Sequence, residues 1–306
     1  MHTRRISAAC LTVAVTFAAG CRQRIAPDPA YREAHERWRA ERVAALTSES
    51  GWLTVVGLHW LEPGSNPFGA APANRVVLRG AAVPPVAGTF DLGADGSVTL
   101  RTGPAAGVTM GGETVTERAL RSDRSGRPDI VELGSLRLNV IERADRFAIR
   151  VKDLDSPARR NFKGIPAFPL DLAYRVEGTY EPYATPREVQ VPSTHGPAQT
   201  MLAGGVVRFR LDGRELALEP FVSALDDRKF FIVFRDATAG VETYGAGRFL
   251  TADAPARGSS RAALDFNRAT NPPCAFTPHA TCPLPPPGNV LPIRVEAGEK
   301  LPDAAH

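Results

Sequence analysis

Two periodicities divide this chain. From Ala30 to about Thr47, apolar Tyr31, Ala34, Trp38, Ala45 and Leu46 recur at helical spacing, with Arg32, Glu36, Arg39 and Glu41 between them. Asp28 is the expected N-cap, Pro29 the first helical position, and Gly51 marks the stop. After Ser50 no stretch carries helical periodicity. Asn74 to Asp153 is a series of short β-runs separated by turn residues, and in RFAIRVKD the alternation sets Phe147, Ile149 and Val151 against Arg146, Arg150 and Lys152. Adjacent cations on such a face either meet an anion or form a solvated outer surface. A Pro-rich basic crossing at 154–171 follows, and then the strands AYRVEGTYE, REVQV, GVVRFRL, RELALEP and KFFIVFRD. Gly93-Ala94-Asp95-Gly96, Arg143-Ala144-Asp145 and Asp212-Gly213-Arg214 read as hairpin connections. The pattern predicts a mainly β protein, an antiparallel β-barrel or sandwich with one N-terminal amphipathic helix and a Pro-rich C-terminal loop. It forms a single β-rich domain over 30–302, or two β-subdomains divided near 154–171.

The N-terminus adds an address. Arg4 and Arg5 precede an apolar stretch, Ile6 to Ala19, that is too short to span a bilayer and ends in small residues. Ala18-Ala19-Gly20-Cys21 resembles the lipobox of bacterial lipoproteins. The expectation is a signal peptide over 1–20, lipidation at Cys21 and a tether over 21–29. The protein would then stand in the cell envelope facing the periplasm, held through its lipid to the outer membrane in a two-membrane cell, since Arg22 rather than an aspartate follows the cysteine. Composition is ordinary for a globular chain, 43% hydrophobic and 23% charged. The net charge of +4 comes from scattered arginines without a basic block, which argues against nucleic acid as a partner.

Export also decides the cysteines. With Cys10 in the signal and Cys21 lipidated, Cys274 and Cys282 remain, and an oxidising compartment reads that pair as a disulfide. The short loop it closes adds about 2 kcal/mol, so local rigidity is its main effect. A zinc reading of Cys274, His279 and Cys282 lacks a fourth ligand and matches no usual module, so no metal and no cofactor are assigned.

Enzyme signatures are sparse. There is no G-x-S-x-G, H-E-x-x-H, P-loop or helix-opening G-x-G-x-x-G. The candidate site lies toward the C-terminus. In FFIVFRDATAGVETYGAGRFL, Asp236 and Thr238 begin a turn, and Thr243 to Leu250 is expected to return as a strand with Tyr244 and Arg248 on one face. In ALDFN, Asp265 and Asn267 share a face opposite Leu264 and Phe266. Tyr244, Arg248, Asp265, Asn267, Asp236 and Glu299 then either line one polar pocket for a small-molecule ligand or do structural work. In the structural case Arg248 pairs with Asp265, while Asn267 and Asn271 bond loop backbone. Three functions stay open: binding of a small polar or anionic ligand near this motif, a cell-envelope hydrolase with Asp265 or Asp236 as acid or base, and an envelope scaffold.

GWLTVVGLHWLEPGSNPFG, FRDATAGVETYGAGRFL and LDFNRATNPPCAFTPHATCPLPPPGN, ending in AGEK, together resemble the bacterial and archaeal domain-of-unknown-function family 1684. The resemblance covers roughly Leu46 to Lys300. It implies that these blocks belong to one domain and carries over no activity. It also implies an aromatic where His279 stands, which argues against a ligand role for that residue.

Overall fold

The computed structural model describes residues 24–80, 82–224 and 227–302; the expected signal peptide, Cys21 and the start of the tether lie outside them. Helix α1 spans Pro29–Thr47, started by Pro29 and by the Asp28 side chain, which accepts from Tyr31 N at 2.9 Å. No helix among the described residues is long and apolar enough to cross a membrane.

Eleven strands follow before the crossing. They are β1 (Val55–Trp60), β2 (Gly64–Gly69), β3 (Val76–Val77), β4 (Gly88–Leu92), β5 (Val98–Thr102), β6 (Thr109–Met110), β7 (Glu113–Thr114), β8 (Glu117–Leu120), β9 (Val131–Leu133), β10 (Leu136–Arg143) and β11 (Arg146–Asp153). They make one sheet in the order β1-β11-β10-β9-β6-β7 and a second in the order β3-β2-β4-β5-β8. The two sheets share a core in which Phe68, Phe90 and Leu100 meet Leu138, Val140, Ile149 and Val151. Ala144, at φ 50°, turns β10 into β11 in the expected hairpin.

Seven strands form the second half: β12 (Arg175–Val191), β13 (Gln199–Leu211), β14 (Arg214–Leu218), β15 (Phe221–Val222), β16 (Lys229–Phe234), β17 (Arg248–Asp253) and β18 (Arg261–Asp265). Their order is β17-β16-β15-β13-β12-β18, with β14 beside β13. Asp212 and Gly213 both adopt positive φ, as the twist of a two-residue hairpin requires. The sheet curls into a nearly closed barrel. Its two ends meet just beyond β18, where Phe249 and Thr270 exchange backbone hydrogen bonds of 2.8 Å.

The C-terminal coil fills this barrel. Leu291, Ile293, Val295 and Ala297 are buried, whereas Pro292, Arg294 and Glu296 are exposed, a period-two pattern in a segment that pairs only locally with the sheet. With Phe209, Phe234, Phe266 and Leu264 they form a core separate from that of the first half. Each fully buried phenylalanine contributes on the order of 2–3 kcal/mol through apolar burial.

One expected strand is shorter than its sequence suggests. Residues 243–247 are a turn and β17 begins only at Arg248. Gly247 lies at φ 97°, and a Cβ there would stand 2.5 Å from Phe234 O. The left-handed residue breaks the strand, so Tyr244 and Arg248 do not share a strand face.

Candidate functional site

Arg248, at the head of β17, is 1% exposed. Its Nη2 donates to Asp236 Oδ2 at 2.5 Å and to Val295 O at 2.9 Å, and its Nη1 donates to Ala297 O and, at 3.4 Å, to Glu299 O. Asp236 Oδ1 in turn accepts from Thr238 N at 2.7 Å and Thr238 Oγ1 at 2.6 Å. Burial pulls the guanidinium pKa down and the Asp236 carboxylate opposes it. The partner of Arg248 is therefore Asp236, placed two residues past its strand neighbour Phe234, and not Asp265. The pair holds the AGEK end of the coil against the barrel.

Asp265 and Asn267 serve α1 and the crossing. Asp265 accepts from Tyr31 Oη at 3.0 and 2.9 Å and from Asn267 N at 3.2 Å, and its Oδ2 lies 3.6 Å from Arg268 Nε. The Asn267 amide side chain accepts from Asp171 N and donates to Asp171 O, and the Asn267 main-chain carbonyl accepts from the buried His35 Nε2 at 3.0 Å. Burial raises the Tyr31 phenol, helped by the Asp265 charge, and lowers the His35 imidazole. As expected of the structural case, Asn271 also bonds loop backbone, donating to Lys300 O at 2.7 Å.

Glu299 is the third node. Its Oε1 accepts from Arg42 Nε at 3.1 Å and its Oε2 from Asn271 N at 2.6 Å, while Arg42 Nη2 reaches Asn271 O at 2.9 Å. Gly298 before it lies at φ 77°, where a Cβ would be 2.5 Å from Ala269 O. The backbones of AGEK and FNRA touch there.

Tyr244 stands apart from these nodes. Its hydroxyl donates to Cys274 O at 3.1 Å, and it packs with Trp52 and Phe249 around Cys274, Ala280 and Cys282. Cys274 and Cys282 are buried free thiols in this structure, not a disulfide, although they touch: Cys274 N donates to Cys282 Sγ at 3.2 Å. Among the described residues no three His, Cys, Asp or Glu side chains converge as a metal site.

The six expected residues thus split into a buried ion pair, a helix-docking pair, an arginine clamp and a tyrosine over the thiols. Of the six, Asn267 and Glu299 line a small cavity against α1, with Trp38, Arg39 and Arg42 on its other wall. The network reaches solvent between α1 and the barrel, in a groove of about 500 Å³ lined by Trp38, Glu41, Arg42, Lys229, Thr251, Arg268 and Thr270. Arg268 lies over the Trp38 ring at 5.7 Å. Arg42 and Arg268 are part-exposed, each with a less exposed carboxylate behind it, Glu299 or Asp265. Tyr31, His35 and Arg42 were missed in the sequence because they face partners more than 230 positions away. Arg268 and Thr270 lay inside the recognised ALDFNRAT run and were passed over for its Asp and Asn.

A family model described as a protein of unknown function, DUF1684, matches residues 160–300. The match takes in the crossing from Arg160 on, the barrel and its coil, and leaves the GWLTVVGLHWLEPGSNPFG block outside. A solution NMR structure of an uncharacterized protein from Haloarcula marismortui aligns at 35% identity over 49% of this chain and 83% of that one, with a TM-score of 0.41. No curated protein matches the chain.

Proposed function

We propose, for a chain that belongs to the DUF1684 family of unknown function, a small-ligand-binding role in the groove between α1 and the barrel. The ligand class is a compact anion bearing carboxylate or phosphate. One observation carries this reading: Arg42 and Arg268 line the groove beside Lys229 and Trp38, with Glu299 bonded to Arg42 and the Asp265 carboxylate 3.6 Å behind Arg268. An arginine fixed in this way offers its remaining donors with little ordering cost on binding. Glu41 on the same wall selects against bulky polyanions. The hydrolase alternative has less support, because Asp236 is spent on Arg248 and Thr238, and Asp265 on Tyr31 and Asn267.

The reading places the protein outside the cytoplasm, lipidated at Cys21 and facing the periplasm, with Cys274 and Cys282 oxidised to a disulfide. Its support is the Arg4-Arg5 start, the short apolar stretch, the Ala18-Ala19-Gly20-Cys21 box and the contact between the two sulfur-bearing residues. Cys21→Ser should release the protein from the membrane fraction; unchanged fractionation refutes the anchor.

Binding is tested by thermal shift with inorganic phosphate and with di- and tricarboxylates. A ligand at a hundredfold over its Kd adds about 2.7 kcal/mol to stability. Arg268→Ala should abolish the shift while the unliganded protein melts as wild type. No stabilisation by any of these anions, or a shift that survives Arg268→Ala, contradicts the site.

A further inference from the structure

Arg150 lies in the middle of β11, opposite Leu58 on β1 and Asn139 on β10. It belongs to the cationic face of RFAIRVKD, but it is only 7% exposed, and Nε and Nη2 are buried with no hydrogen-bond partner. Among the described residues no other side chain buries two such atoms. An uncompensated buried charge costs several kcal/mol, so what surrounds this one matters. Arg143 and Lys152 are cations on the same face. The Asp123 carboxylate is held by Arg143 at 2.9 Å. Burial, with Arg143 adding to it, lowers the guanidinium pKa to about 10, opposed by Asp123 and by the sulfur of Cys282.

Trp52 joins this arginine to the cysteines. The Arg150 guanidinium lies over its ring at 4.9 Å, and the same side chain packs against the Cys274, Ala280 and Cys282 cluster. Cys282 N donates to Thr194 Oγ1 at 3.1 Å. The two thiols hydrogen-bond each other and titrate as a unit: the first proton leaves below the ordinary thiol range, because the remaining S–H is shared between the sulfurs, and the second is held well above it. Tyr244, over Cys274, keeps its proton.

We propose that Cys274 and Cys282 form a reversible dithiol–disulfide centre, poised toward its reduced form by the buried Arg150 guanidinium and exchanging with thiols. It rests on the pairing of the two cysteines proposed above. With a small thiol as reductant, one thiolate attacks a cysteine sulfur, the Cys274–Cys282 bond breaks, and a second thiol resolves the mixed disulfide. Two thiols become one small-molecule disulfide, and two electrons and two protons pass to the cysteine sulfurs. The reduced pair can ionise beside Arg150, whose charge acts on Cys282, whereas the disulfide has no sulfur that can carry a negative charge there. Arg150 therefore stabilises the reduced side. The segment concerned also ties the two halves together: Thr277 Oγ1 donates to Val55 O at 2.9 Å, and Arg143 Nε reaches Thr281 Oγ1 at 3.3 Å.

The test is a redox titration of the full mature protein against reduced and oxidised glutathione, beside Arg150→Met and Arg150→Lys. Arg150→Met should make the disulfide about tenfold harder to reduce, about 30 mV for this two-electron couple, and Arg150→Lys should stay near wild type. Ultraviolet thiolate absorbance of the reduced proteins should show the first thiol titrating at higher pH in Arg150→Met, a change that a packing defect would not produce. A disulfide that forms with the same potential and thiol titration in all three proteins overturns the role of Arg150 and leaves the pairing standing. No disulfide at the oxidising end overturns both.

Discussion

Two arginines are buried among the described residues, and they are used in opposite ways. Arg248, at the barrel end, has a carboxylate and three carbonyls around it. Arg150, in the N-terminal sheet, has an indole face and two buried nitrogens with no acceptor. The first arrangement satisfies a charge completely and so can only hold structure. The second leaves a charge with no hydrogen-bonded counter-ion, near an Asp123 that Arg143 already holds, and in the redox centre proposed above a cysteine thiolate is the partner that comes and goes. Burial alone does not distinguish frame from function; the count of satisfied donors does.

Mutations at the frame should break this contrast with the largest effect. Asp236→Ala strands Arg248 in the core and is expected to cost about 3–5 kcal/mol, read by urea unfolding. Gly247→Ala adds a Cβ to a left-handed residue 2.5 Å from Phe234 O, and strain with overpacking should cost about 2–4 kcal/mol. Tyr31→Phe removes a hydrogen bond to a charged carboxylate and should cost about 1.5–2 kcal/mol, with amide exchange rising first in α1. A loss confined to the barrel would contradict the assignment of Asp265 to helix docking.

The smallest effect is on pH. Burial lowers the pKa of His35 and of His59, the latter also through His279. Both groups stay neutral in the folded state while the unfolded chain takes up protons near 6.5. Their contribution is fully present above that pH and is lost as pH falls below it. Unfolding at stepped pH should show the decline, and His35→Gln should flatten it; a slope of the opposite sign would contradict it.

Much of the frame was legible in the chain. Asp28-Pro29 and the apolar spacing place α1, RFAIRVKD coincides with β11, and Asp212-Gly213 makes its hairpin. These are local patterns, in which a few adjacent residues decide the backbone. The site was legible only as a neighbourhood. Even spacing assigned Tyr244 and Arg248 to one face, but Gly247 interrupts the strand between them. Alternation put Arg150 on the outer face correctly, yet that face is covered by residues 130 positions away around Cys282, so outward does not mean solvated. The Arg42–Glu299 clamp joins the first helix to the last coil, and no spacing rule reaches across that separation.

The most direct measurement sets the two arginines side by side: urea unfolding of Arg248→Met and Arg150→Met in the oxidised protein. Arg248→Met leaves Asp236 buried without its cation and should lose about 3–5 kcal/mol, whereas Arg150→Met replaces an unpaired charge with an apolar chain and should be neutral or stabilising. Equal losses in the two variants would contradict the account, because they would make Arg150 as much a part of the frame as Arg248.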